Sequence, residues 1–149
     1  MKIWVDADAC PKVIKDILFR VAERTGITVT LIANRYLSAP PSSNIYVLQV
    51  EDGFDIADNK IVELCEEGDL VITADIPLAA LAVGKGAFAL NPRGDFYDAN
   101  NIGAILSMRN FMHAMRSGMP EPGDGPAIFT NKNREAFASQ LDRFIARKR

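Results

Sequence analysis

The feature that most constrains this chain is a series of short apolar runs that recur between helical patterns. Residues 2–5, 28–33, 45–50, 70–73 and 87–90 each read as a strand, apolar or β-branched almost throughout rather than alternating. Strands read this way when both faces are buried, as in parallel sheets covered by helices on either side. Helix signals fall between them. Val13, Ile14, Ile17, Leu18 and Val21 recur at helical spacing, with Pro11 at the start and Gly26 at the end. Ile61, Leu64 and Cys65 share a helical face within 57–65, and 76–83 reads as a further helix. The pattern predicts an α/β fold, a three-layer sandwich with a mostly parallel sheet of about five strands.

The tail differs. Residues 102–117 and 131–147 read as two helices, separated by a stretch, 118–126, with three glycines and three prolines. Neither helix could bury a core alone, so the expectation is one domain over 1–149, with the tail helices packed on it and the stretch between them acting as a tether or flap. At 149 residues and 48% hydrophobic, the chain can bury a core without a staple, which excludes disorder as a description of the whole. Cys10 and Cys65 form no C-x-x-C pair, so a structural zinc or a disulfide framework is not expected. The apolar start is cut short at Asp6, and no run approaches the roughly 20 apolar residues that span a bilayer. A cytoplasmic protein with no membrane partner is the expectation.

Charge is distributed unevenly. The net charge of −2 excludes a broadly basic nucleic-acid coat, yet residues 1–99 hold 9 basic against 15 acidic residues and residues 100–149 hold 8 against 4. An acidic site beside a basic surface, or solvated helix faces, would each give such a split. Parallel sheets bind ligands beyond the carboxyl ends of their strands. Asp6 and Asp8 follow the first strand, Asp75 follows the fourth, and Asp58 opens the helix after the third. These four are the candidate catalytic residues, with Asp6, Asp58 and Asp75 as metal ligands. Carboxylates crowded together must hold protons or a cation. An oxygen-only set favours a hard ion, Mg²⁺ or Mn²⁺. Such an ion suits hydrolysis of a phosphate ester. Capping is the competing account, because Asp8, Asp55 and Asp75 each precede a helix.

Other residues bear on the same edge. Arg93 follows the fifth strand and suits forked phosphate contacts, and Asp95 and Asp98 share its loop as candidates for a fourth carboxylate. Arg109 and Arg116 lie seven apart on one predicted helix face, where they could meet a phosphate backbone. Cys10 sits before a helix, where a thiolate would be favoured, but the single histidine, His113, is far along the chain. A buried small residue is the plainer account of Cys10.

The segments V-D-A-D-A-C-P at 5–11, D-x-x-D at 55–58, T-A-D-I-P-L-A at 73–79 and P-R-G at 92–94, with the G-x-G-P that ends at Pro126, resemble the YaiI/YqxD family of bacterial proteins. That family is grouped with PIN-like domains, which are Mg²⁺- or Mn²⁺-dependent ribonucleases. The resemblance therefore implies a PIN-like fold, RNA as partner, and Asp6, Asp58 and Asp75 as the metal-holding carboxylates. The mid-chain acid of PIN domains is more often Glu, and their fourth acid has no clear counterpart here. Two rivals stand beside the nuclease reading. One is a PIN-like domain that binds RNA or protein without cutting. The other is a haloacid-dehalogenase-type phosphatase, which also starts D-x-D but wants an Asp where this chain has Thr73.

Overall fold

The computed structural model describes residues 1–53, 55–116 and 129–148. Six strands form one sheet in the order β3-β2-β1-β4-β5-β6. They are β1 (Ile3–Asp6), β2 (Val29–Ala33), β3 (Ile45–Gln49), β4 (Leu70–Ile72), β5 (Phe88–Leu90) and β6 (Phe96–Tyr97). The helices are α1 (Lys12–Thr25), α2 (Ile56–Leu64), α3 (Ile76–Gly84), α4 (Ile102–Met115) and α5 (Asn131–Lys148). The first five strands run parallel, as their two-sided apolar runs require. The sixth, β6, pairs antiparallel with β5. Two residues are too short to leave a period in the sequence, which is why the pattern gives five strands.

The pleat sorts the strands' side chains into two cores. Ile3, Val5, Leu31, Leu70, Ile72 and Leu90 face α1 and α5, where they meet Ile14, Leu18, Phe137 and Leu141. Trp4, Ile32 and Val71 face the other way, onto Ile61, Leu78 and Ala82. The result is three layers, with α4 laid against α3 through Ile102 and Ile105. Each fully buried aliphatic side chain of this kind stabilises the fold by about 1.5–3 kcal/mol. The tail stretch 118–126 and the G-x-G-P segment lie outside the described residues. No helix among the described residues is long and apolar enough to cross a membrane.

Strand order reverses between β1 and β4, which are neighbours in the sheet. The amino edge of this pair is tied by Asp69, only 5% exposed. Its carboxylate accepts from Trp4 Nε1, Lys2 N and Glu66 N, each at 2.9 Å. Three donors on one buried carboxylate offset the cost of desolvating it. Sheet and helix also meet closely at the P-R-G turn. Gly94 has φ +97°, and a Cβ there would stand 2.7 Å from Ala136 Cβ and 2.8 Å from its carbonyl carbon on α5. Gly94→Ala is therefore expected to lower stability by about 2–4 kcal/mol, from strain and overpacking together. Urea denaturation measures this; a loss under about 0.5 kcal/mol, as at an ordinary surface position, would contradict the packing described.

Candidate functional site

Three chain segments deliver carboxylates to the carboxyl edge of the sheet at the strand-order reversal. Asp6 is the last residue of β1. The chain then makes a 3-10 turn, Ala7–Ala9, which carries Asp8. Asp75 follows β4 and precedes α3, and Asp58 lies in the first turn of α2. The four acids that the sequence pattern singles out thus lie on segments at one edge of the sheet, the edge where open α/β sheets bind ligands.

Thr73 organises this edge, and the sequence pattern does not single it out. Its hydroxyl donates to Asp6 Oδ2 at 3.0 Å and accepts from Asp75 N at 3.0 Å. Its own N–H donates to Leu90 O. Being 1% exposed, Thr73 is held rigidly. The available signal was a threonine closing an otherwise apolar strand two residues before an aspartate.

Electrostatics mark the cluster. Burial pushes the Asp6 carboxyl up; the Thr73 hydrogen bond opposes this, and the charges of Asp75 and Asp8 add to it. Asp58 is pushed up to about 6, first by burial and then by the charges of Asp6, Asp75 and Asp55. Burial and like charge nearby are the effects expected of acids that share a site. Asp8 is held from β2: its Oδ2 accepts from Asn34 N at 2.8 Å, and Arg35 Nε lies 3.6 Å from Oδ1. Asp8 Oδ1 is itself buried with no hydrogen-bond partner.

Capping accounts for one of these acids. Asp75 does cap α3, its Oδ1 accepting from Leu78 N at 2.9 Å. Asp55 precedes α2 in a left-handed conformation, φ 62°, and makes no side-chain cap. Asp8 caps nothing: α1 begins after Pro11, again without a side-chain cap. The cap uses one carboxylate oxygen of Asp75 and leaves the other without that role.

The remaining candidates are spread wider. Arg93 is exposed in the β5–β6 turn, its N–H donating to Asn91 Oδ1 at 2.7 Å. Asp98 Oδ1 accepts from Asn100 N and Asn101 N just before α4, and Asp95 acts on Tyr97. The charges that weigh on Asp6 and Asp58 come instead from Asp75, Asp8 and Asp55. Asp8 thus acts on Asp6 and Asp55 on Asp58, while the charge of Asp95 is felt at Tyr97. Arg109 and Arg116 line a groove of about 650 Å³ along α4 with Met108, Met112 and His113. Its wall includes Ile76, the residue after Asp75. Cys10 is buried, and burial pushes its thiol up to about 12, which is the state of an inert core cysteine. Cys65 is fully buried, as its helical face implies.

Known sequences decide the family. A family model described as "Uncharacterized BCR, YaiI/YqxD family" matches residues 4–147. The chain belongs to the YaiI/YqxD family. It is 58% identical over 149 residues to a UPF0178 protein of Janthinobacterium sp. (strain Marseille), covering 100% of this chain and 98% of that one. It is 59% identical over 147 residues to a UPF0178 protein of Hahella chejuensis, covering 99% and 97%. A UPF0178 protein of Pseudoalteromonas atlantica is 55% identical over 148 residues, covering 99% and 100%. No solved structure matches the chain.

A metal can be weighed against these residues of the YaiI/YqxD chain. The donor set is all oxygen, and Asp8 Oδ1 is buried with no hydrogen bond, its one ion-pair contact being Arg35 Nε at 3.6 Å. That chemistry fits a hard divalent cation. Among the described residues, no three acidic, His or Cys side chains already converge on one point, so an ion would have to draw the carboxylates inward.

The shift at Asp58 fixes a pH dependence. Its folded-state value, about 6, lies above the ordinary 3.8, so folding takes up a proton between the two. Stability from this group is fully present below the lower value and is lost as pH rises through the upper one. In metal-free protein, Asp58→Asn is expected to stabilise by on the order of 1 kcal/mol near pH 8, a figure discounted for partial exposure, and to converge with wild type near pH 4. Urea denaturation at both pH values checks this; a variant less stable than wild type near pH 8 would contradict it.

Proposed function

We propose that this YaiI/YqxD protein is a divalent-cation-dependent phosphodiesterase acting on RNA, with a PIN-like arrangement of acids. The observation that carries the reading is the cluster of Asp6, Asp8, Asp58 and Asp75 at the strand-order reversal, with Asp6 and Asp58 both pushed up by burial and by neighbouring carboxylates. Perturbed acids at such a position are the physical mark of a functional site. Asp6, Asp58 and Asp75 would hold the cation. When bound, it would supply a water of lowered pKa and offset charge on the phosphoryl oxygens.

The chain's own groups divide the remaining work. Thr73 keeps Asp6 Oδ2 oriented and ties it to the start of α3. Asp8, anchored by Asn34, adds negative charge to the cluster and a further oxygen. Arg109 and Arg116, in the groove that begins at Ile76, would contact phosphates leading away from the scissile one, and Arg93 would approach from the β5–β6 turn. Met108 and Met112 in that groove give bases an apolar, adaptable surface.

The test is cleavage of a fluorescent single-stranded RNA with Mn²⁺ or Mg²⁺. Cleavage is expected in wild type and is lost with EDTA. Asp6→Asn should lower the rate by more than about 100-fold, the upper end of the cost of disturbing a metal ligand's hydrogen-bonding partner. Arg109→Gln should raise KM by about tenfold, one charge-assisted contact, with kcat kept. Cleavage unchanged in folded Asp6→Asn would sink the proposal. The carboxylates not already converged on one point favour a second reading, a YaiI/YqxD domain that binds RNA without cutting it. Tight RNA binding with no cleavage under any divalent cation would select that reading.

A further inference from the structure

A second charged cavity lies on the other face of the sheet, between α1 and α5. It has a volume of about 560 Å³ and a floor of Ile17, Val21 and Ala138. Three arginines line it, Arg20 and Arg24 from α1 and Arg134 from α5, together with Asp142 and Glu135. Only one ion pair forms among them, Arg24 Nη2 with Asp142 Oδ1 at 3.2 Å. Arg20 and Glu135 make no ion pair with any described residue. Arg134 is the odd member. Its Nε is buried, yet it donates to no acceptor. A buried guanidinium N–H without a partner is costly, and natural structures rarely leave one so unless a ligand or ordered water supplies the acceptor.

We propose that this groove is a binding site for a small phosphorylated anion. Arg134 and Arg20 supply the two guanidinium groups that suit forked contacts with phosphoryl oxygens. Asp142 holds Arg24 in an ion pair at 3.2 Å. The floor of Ile17, Val21 and Ala138 takes the uncharged body of the ligand, and the volume falls within the range of small-molecule sites. The residues are separate from the acidic edge, so the inference does not depend on the nuclease reading.

Calorimetric titration of AMP, inorganic phosphate and adenosine into the full chain, with EDTA present, tests it. Saturable binding of AMP is expected, with adenosine showing none. Phosphate binding as tightly as AMP would mean that the phosphoryl group alone is read; tighter binding of AMP would mean that the apolar floor contributes. Arg134→Gln and Arg20→Gln are each expected to weaken AMP about tenfold. Ala138→Glu, which fills the floor with a competing carboxylate, should abolish binding even if Arg134→Gln folds poorly. Asp6→Asn should bind AMP as wild type does, which separates this site from the acidic edge. Absence of AMP and phosphate binding by folded wild type, equal affinity in folded Arg134→Gln or Ala138→Glu, or equal binding of adenosine and AMP would each overturn the proposal.

Discussion

The pairing of β1 with β4 is the constraint on which the rest depends. These strands are neighbours at the place where the sheet's order reverses, and polar side chains fasten both ends of the pair. At the amino edge, Asp69 takes hydrogen bonds from Trp4, Lys2 and Glu66. At the carboxyl edge, Thr73 links Asp6 to the start of α3. Between them, Ile3, Val5, Leu70 and Ile72 are wholly buried. The two aspartates that leave this edge are therefore carried by strands buried on both faces. A site built on such elements keeps its geometry better than one built on loops.

That rigidity has an electrostatic cost. Fixed strands bring Asp6 and Asp75 close whether or not their charges are offset, and α2 and the 3-10 turn add Asp58 and Asp8. Burial and the neighbouring charges raise the values at Asp6 and Asp58, so both take up protons more readily than free carboxyls do. A divalent cation would meet the cost differently, by offsetting two charges at once. Stability, proton uptake and the proposed cation affinity would then be linked through one group of side chains.

Much of this was legible in the sequence, for identifiable reasons. Continuous apolar runs at 28–33 and 70–73 can only be strands buried on both faces, and they are. A strand followed at once by Asp puts the carboxylate at the sheet edge, so Asp6 and Asp75 could be placed without coordinates. Asp58 depended on knowing where α2 begins, which its spacing gives to within a residue. What escaped was set by tertiary contact. Thr73 looks like one more β-branched strand residue until Asp6 is beside it. Asp8 looks like a cap until β2 brings up Asn34. The two-residue β6 has no period to read, and the unpaired Nε of Arg134 exists only once α5 is laid against α1.

On the proposed function, Asp6, Asp58 and Asp75 would hold one cation, with Asp8 beside them. Calorimetric titration of Mn²⁺ into metal-free protein, with Asp6→Asn alongside, tests it most directly. Saturable binding by wild type is expected, weakening as pH falls below about 6, where Asp58 takes up its proton, and disappearing in the folded variant. No binding by wild type, or binding equal in Asp6→Asn, would contradict it.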